Sequence, residues 1–165
     1  PSIEEGFYYD VDFGDIKIEK DVEENILIPM LQRLGYNDSD WSRQLSQQSG
    51  RDGAAIPDFV FFPHGEKHFA NAPLVIEAKL DMRSVREQKK AYKQCQSYAK
   101  MMSAKLMAIC DKERLIVYQR SKDNLFHEDS PCFEEHWMKI FTDLETAARL
   151  KQIIGKEVVK SIKNL

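Results

Sequence analysis

Apolar residues recur at helical spacing near the start of the chain. They form a stripe with intervals of one, three or four residues: Val22, Ile26, Leu27, Met30, Leu31 and Leu34. This spacing predicts an amphipathic helix, which Asp21 or a near neighbour caps and Gly35 ends. Pro29 lies inside the stripe, and we expect it to kink or interrupt the helix because it has no amide hydrogen. Residues 1–18 predict an acidic, partly extended lead.

Short apolar runs rich in aromatic and β-branched residues follow, and such runs are typical of buried strands. The runs span residues 56–62, 73–80, 106–110 and 114–119. A weaker strand is predicted near residues 41–47, inside a polar, glycine-containing stretch. A turn or hairpin loop over residues 64–72 joins the first two runs, and a tight turn at residues 111–113 joins the last two.

The remaining apolar periodicity is helical. Residues 83–102 predict a long, basic, amphipathic helix, and residues 121–132 a loop. From about Phe133 onward the chain is predicted to be helical, with Gly155 as a break between two helices. The order of helix, strands, helix, strands and helices predicts an α/β fold of three layers, with a mixed central sheet flanked by helices. No linker divides the chain, so we expect one domain over residues 1–165.

Composition narrows the classes of protein. The 165 residues are 42% hydrophobic and 31% charged, which is too apolar for a disordered tail. No run of about 18 apolar residues could span a membrane, and the N-terminus lacks the features of a signal peptide. The three cysteines are widely spaced, which disfavours a disulfide framework and predicts a cytoplasmic location.

Charge is distributed unevenly along the chain. Residues 1–40 hold eleven acids and three bases, a balance of −8, although the whole chain carries only −3. Residues 79–105 hold eight bases and two acids, a balance of +6. A basic segment of this kind could be an ordinary solvated helix face, or it could recruit a polyanion locally.

Charged residues interrupt the apolar strand at residues 74–80. Glu77 and Lys79 share one face of it, about 7 Å apart along the strand. An ion pair on an edge strand is one interpretation. A polar cleft that needs charge is the interpretation we favour, because burying unpaired charge costs several kcal/mol.

An acid also opens the preceding strand. If the two strands pair as neighbours, Asp58 lies beside Glu77, and two adjacent carboxylates repel each other unless a cation lies between them. Such oxygen ligands suit Mg²⁺, with Mn²⁺ as a substitute. Lys79 would face the same site and could stabilise the transition state of phosphate chemistry or position a water.

These residues resemble a known signature. Pro57-Asp58 followed by Glu77-Ala78-Lys79 resembles the PD-(D/E)xK motif of a nuclease superfamily. Gln94 and Tyr98 resemble the Q-x-x-x-Y motif of one branch of it. Residues 18–36 resemble the first helix of the N-terminal nuclease domain of type I restriction enzyme R subunits, and residues 106–119 resemble its closing pair of strands. The likeness covers roughly residues 18–120, while residues 133–165 match only loosely, as terminal helices.

The resemblance implies a restriction-endonuclease-like fold and metal-dependent cleavage of DNA. It implies that Asp58 and Glu77 bind the metal and that Lys79 assists catalysis. The acid of the first helix best matches Glu19, and Glu23, one turn further on the same face, is its rival. Ile18 departs from the family, in which Ser or Thr often stands, so the start of the helix stays open.

The basic helix extends this picture to the substrate. Gln94 and Tyr98 are neighbours on it and are expected to border the metal site and to contact a phosphate or base. Its cations are expected to follow the DNA backbone, which would give salt-dependent binding without sequence preference. They are Arg83, Arg86 and Lys90, together with Lys89 and Lys93.

The leading hypothesis is therefore a Mg²⁺-dependent DNA endonuclease, the nuclease domain of a type I restriction enzyme R subunit. Its expected partners are DNA, other restriction-modification subunits and an ATP-dependent motor, since no phosphate-binding G-x-x-x-x-G-K-[ST] motif occurs in this sequence. One alternative is an inactive DNA-binding or assembly module, with Lys79 paired directly to Glu77 or Asp58. Another is a stand-alone dimeric nuclease for repair or junction cleavage.

Overall fold

The computed structural model describes residues 12–43, 57–65 and 71–162. The predicted lead before residue 12, the polar stretch at 44–56 and the turn at 66–70 lie outside the described residues. The described helices are α1 (residues 19–33, made of Glu19–Val22, a π-helical Glu23–Leu27 and Ile28–Arg33), α2 (Val85–Met101), α3 (Trp137–Thr142), α4 (Leu144–Ile154) and α5 (Lys156–Lys160). Short 3₁₀ turns occupy Phe13–Asp15 and Asp38–Asp40. Throughout these ranges no helix is both long enough and apolar enough to traverse a bilayer.

Six strands form one mixed sheet in sequence order. They are β1 (Trp41–Arg43), β2 (Phe59–Phe61), β3 (Leu74–Ala78), β4 (Leu106–Cys110), β5 (Arg114–Gln119) and β6 (Phe133–His136). All neighbouring strands are antiparallel except β3 and β4, which run parallel. A parallel pair needs a crossover connection, and α2 supplies it.

Two hydrophobic clusters cover the two faces of the sheet, because successive strand residues point to opposite sides. Phe59, Ile76 and Ala108 pack on one face with residues of α1 and the C-terminal helices. Val75 and Met107 pack on the other face against α2. The protein is thus an α/β domain with a mixed sheet between helical layers, as the sequence predicted at this level.

The bounds of β4 and β5 are as predicted, and β2, β3 and α2 lie within their predicted segments. The prediction of helix from Phe133 onward is wrong for the first four residues, which form β6. Val117 of β5 pairs with Phe133, and Arg114 bonds Glu134 at 2.6 Å. The open edge of β5 therefore takes a strand where the sequence pattern alone indicated a helix.

The helical break at Gly155 is confirmed, since it separates α4 from α5. A Cβ atom at this position would collide with the carbonyl oxygen of Lys151, so only glycine fits. Two bonds then dock this corner onto the end of α1. The Tyr36 hydroxyl donates to the Ile154 carbonyl at 2.7 Å, and the Lys156 amide donates to the Leu34 carbonyl at 3.1 Å.

Pro29 does not end the first helix, which continues from residue 19 to residue 33. The α-helical pattern instead widens into a π-helical segment just before the proline, where the Ile28 amide donates to the Glu23 carbonyl. Pro29 lies at the start of the α-helical segment Ile28–Arg33, where its missing amide hydrogen costs no hydrogen bond within that segment. The expected interruption is therefore confined to a local change of helix type.

Candidate functional site

Asp58 and Glu77 lie side by side at one end of the sheet. The register that sets Phe59 opposite Ile76 also sets Asp58 opposite Glu77. The Asp58 amide donates to Glu77 Oε1 at 3.1 Å, and the Ala78 amide donates to Asp58 Oδ2 at 2.8 Å. The two residues are only 6% and 3% exposed. Backbone donors thus fix both carboxylates in place, as the pairing hypothesis required.

Helix α1 adds two more acids to this end of the sheet. One oxygen from each of Glu19, Glu23 and Asp58 lies within 4.8 Å of the other two. The sequence left Glu19 and Glu23 as rivals, and the structure brings both to Asp58. They stand four residues apart and therefore share one face of the helix. Glu77 borders Asp58 from the neighbouring strand, outside this set of three.

The start of α1 is set by Asp21 rather than by a Ser or Thr. Its carboxylate accepts the amides of Lys17 and Ile18 at 2.9 and 3.0 Å. These bonds hold the pKa of Asp21 below its ordinary value. Because the helix begins at Glu19, the departure at Ile18 leaves the acidic face of α1 correctly oriented. Asp21 thus caps the helix start as predicted, but it does so from the third helical residue, because the N-cap residue is Ile18.

Two cations contact the acids. Lys79 Nζ lies 3.5 Å from Glu77 Oε2, as their shared strand face predicted. Arg43, at the end of β1, binds Glu23 at 2.5 Å and Glu24 at 2.8 Å and stacks over the Phe59 ring. Sequence reasoning missed Arg43, because its role depends on β1 pairing with β2 and no local motif marks it.

The cations around the acids do not hold the pKa values of the carboxyl groups at their ordinary level. Burial, and next the charge of Asp58, raise the pKa of Glu77 to about 8. The same causes, in the same order, raise the pKa of Glu19 and of Glu23. Lys79 opposes the shift at Glu19, and Arg43 opposes it at Glu23, but neither cancels it. The site therefore disfavours its own ionised form in the absence of a further cation.

This donor set fits a hard divalent cation. All of its ligating atoms are carboxylate oxygens, the type that Mg²⁺ and Mn²⁺ prefer. Glu19, Glu23 and Asp58 would supply the first ligands, with Glu77 next to them. A bound cation would also offset the burial and the repulsion from Asp58 that raise the pKa values of Glu19, Glu23 and Glu77.

Gln94 and Tyr98 border the site on the α2 side. Gln94 Nε2 donates to the Tyr98 hydroxyl at 3.0 Å, which confirms that the two side chains are neighbours. Burial, followed by the Glu77 charge, raises the pKa of Tyr98 to about 12. Tyr98 is only 3% exposed, whereas Gln94 is partly exposed. Gln94 is thus the member of the pair that can meet a substrate.

The cations of α2 divide into two groups. Arg83, just before the helix, binds Asp81 at 2.7 Å and approaches Glu113 at 4.0 Å, so its charge is largely matched. Arg86, Lys90 and Lys93 are exposed, and within the described ranges none of them pairs with an acid. Their spacing of four and three residues places them on one side of the helix, which we call the α2 ridge.

In comparisons with known proteins, no protein-family model, curated protein or solved structure matches the chain.

Proposed function

We propose that the protein is a Mg²⁺-dependent nuclease that hydrolyses phosphodiester bonds in DNA. One observation carries the proposal: the acids of α1 and of two adjacent strands converge at one end of the sheet, with Lys79 beside them. Phosphoryl transfer requires positive charge near the phosphate and a positioned nucleophile. A cluster of carboxylates that gathers a divalent cation, next to a fixed ammonium group, can supply both.

Each residue has a distinct part in this proposal. When bound, Mg²⁺ would bring positive charge to the phosphate oxygens and acidify a neighbouring water. Asp58 is held for ligation by the Ala78 amide, and Glu19 and Glu23 complete the oxygen set. The Lys79 side chain is 27% exposed, so its ammonium group can meet a phosphate arriving from solvent. There it stabilises the negative charge that develops as water attacks phosphorus.

The finer proposal is a restriction-endonuclease-like fold of the kind found in type I restriction enzyme R subunits. The order of elements supports it: a first helix with acids, two strands bearing the signature, a basic helix, and a pair of closing strands. Under this proposal, restriction-modification subunits and an ATP-dependent motor are partners of the nuclease. DNA sequence recognition would then come from another subunit.

A plasmid-nicking assay tests the activity. We expect supercoiled plasmid to be converted to nicked or linear forms in Mg²⁺ or Mn²⁺ and to stay intact in EDTA. Lys79→Met should slow the reaction by about 10²–10³-fold, since it removes one electrostatic contact of the transition state. Equal rates for the parent and Lys79→Met would contradict the role of this lysine.

The α2 ridge makes a separate prediction about DNA binding. Lys90→Gln should lower the slope of log affinity against log salt by about one, and Arg86→Gln/Lys90→Gln by about two, as one counterion contact is lost for each charge. Lys160→Gln, an exposed lysine of α5 on the other side of the sheet, is the control and should leave the slope unchanged. Binding is measured in EDTA so that cleavage does not interfere. A slope that is equal in all variants would exclude the ridge as a phosphate track.

One alternative has a specific observation behind it. The direct contact between Lys79 and Glu77 is what an inactive DNA-binding or assembly module would use to fill the site without metal. Such a module would bind DNA through the α2 ridge but would neither cleave it nor take up Mn²⁺. A metal titration therefore separates the two functions.

A further inference from the structure

A second site lies at the opposite end of the sheet from the acids. A cavity of about 240 Å³ is lined by Lys100, Ser103, Lys105, Arg120 and Asn124, which we call the basic pocket. It is formed by the end of α2, the start of β4 and the end of β5. Since one water occupies about 30 Å³ in the liquid, the cavity has room for a tetrahedral anion and several waters.

The basic pocket concentrates unmatched positive charge. Three of its five lining residues are cationic, and no carboxylate of the described ranges lines it. The nearby acid, Asp123, is already engaged by the side chains of Ser121 and His127. Lys100 and Lys105 form no ion pair with any described residue. The cavity therefore offers several cations and no competing anion.

The register of β4 and β5 places two of these cations opposite each other on neighbouring strands. Leu106 pairs with Gln119, and the Arg120 amide donates to the Lys105 carbonyl at 2.8 Å, so Lys105 and Arg120 are cross-strand neighbours. Like charges directly opposite each other on antiparallel strands destabilise a sheet. An anion between the two side chains would turn this repulsion into attraction.

Arg120 is rigid and keeps donors to spare. It donates to the carbonyls of Ala104 at 2.9 Å, Asn124 at 3.1 Å and Ala99 at 3.3 Å, and it stacks over the Phe126 ring. Three bonds use three of its five N–H groups, so two are left for a ligand. A guanidinium fixed in this way loses little entropy on binding an anion.

The walls of the basic pocket contain unusual backbone. Ser103 and Asn124 have φ angles of 54° and 68°, and they are two of the three non-glycine residues with positive φ in the described ranges. Ser103 closes α2 through bonds from its own amide to Lys100 and from the Ala104 amide to Ala99. Glycine is the usual residue at this closing position, and serine there adds a hydroxyl to the cavity.

We propose that the basic pocket binds a phosphate group. The α2 ridge leads towards it, since Arg86 and Lys100 are separated by about 21 Å of helix, the length of about six base pairs. A backbone phosphate of bound DNA is one source of the ligand, and this source rests on the proposed function. Free phosphate is the other source and does not depend on that function.

Two titrations of the full chain in EDTA test the basic pocket. Inorganic phosphate, followed by NMR, should shift the amide signals of Ser103, Lys105 and Arg120, and Lys105→Gln should weaken this binding about two- to fivefold. DNA binding at several salt concentrations should show a slope lower by about one in Lys105→Gln. Lys160→Gln serves as the matched control in both titrations. Removal of the like-charge pair should also raise the melting temperature of Lys105→Gln in buffer without phosphate, which shows that the variant folds.

Each outcome decides the proposal. Weaker phosphate binding together with a reduced DNA slope in Lys105→Gln supports a DNA phosphate in the basic pocket, and weaker phosphate binding alone supports free phosphate. Unchanged binding of both ligands in Lys105→Gln overturns the proposal, as does an equal effect of Lys160→Gln. Neither titration requires hydrolysis, so an inactive acidic site would leave these results intact and would refute the proposed nuclease separately.

Discussion

If the protein is the proposed nuclease, we expect Asp58→Asn to reduce DNA cleavage by at least about a hundredfold, because the substitution removes the carboxylate charge that the other acids of the site adjoin. The asparagine keeps a carbonyl oxygen that can accept the Ala78 amide bond, so the strand end remains in place. The initial rate of plasmid nicking in Mg²⁺, compared with that of the parent, measures the loss.

An exposed aspartate provides the control for this substitution. Asp38→Asn changes the net charge equally but lies in the 3₁₀ turn before β1, with its side chain in solvent. It should cleave at the parental rate. If Asp58→Asn and Asp38→Asn nick plasmid equally fast, the acidic site does not carry the activity.

The stability of the metal-free protein should fall as pH rises, and a bound metal ion should offset this fall. The pKa of Glu77 is about 8 in the fold against 4.5 when unperturbed, so between these values the folded state binds more protons than the unfolded chain. Stability then falls as pH rises through this window, by up to about 1.4 kcal/mol per pH unit for this one carboxyl group. Glu19 and Glu23 shift in the same direction and add to the decline.

Thermal melts in EDTA across this pH window measure the effect. The melting temperature should fall towards pH 8, and Glu77→Gln should flatten the decline because it replaces the carboxyl with a neutral amide. Addition of Mn²⁺ at about pH 8 should restore the melting temperature of the parent, since a ligand that binds only the folded state stabilises it. Glu157→Gln, an exposed residue of α5, is the control. A melting temperature that rises from pH 5 to pH 8 in EDTA would contradict the raised pKa values.

Periodicity was sufficient to predict most elements of the fold. The stripe from Val22 to Leu34 and the runs that became β4 and β5 have strong patterns of their own, and the structure contains them within a residue or two. Phe133–His136 was predicted wrongly because its conformation depends on a distant partner. Only the free edge of β5 makes it a strand, and no local signal reports that edge.

The candidate site shows the same division between local and distant determinants. Asp58, Glu77 and Lys79 could be predicted because short strands with one intruding charge constrain where their side chains point. The choice between Glu19 and Glu23 could not be made from helix spacing, since both share one face, and the structure uses both. Arg43 could not be found at all, because its contacts with Glu23 and Glu24 are made across the fold.

The carboxylates that would bind a metal ion at the acidic site also lower the stability of the metal-free protein. Buried carboxylates that would bind a cation strongly are also those that repel each other when it is absent, and the raised pKa values of Glu23 and Glu77 reflect their burial first and the repulsion from Asp58 second. Substitutions that neutralise one acid should therefore stabilise the metal-free protein while weakening its function. This opposition is typical of functional sites, at which activity is favoured over stability.

A calorimetric titration with Mn²⁺ tests the central claim most directly. At about pH 8 the parent should show a saturable site, and Asp58→Asn should bind Mn²⁺ at least about tenfold more weakly, whereas Asp38→Asn should match the parent. Indistinguishable titrations of all three proteins, or no binding by the parent, would contradict a divalent cation between the acids and favour the module in which Lys79 and Glu77 pair without metal.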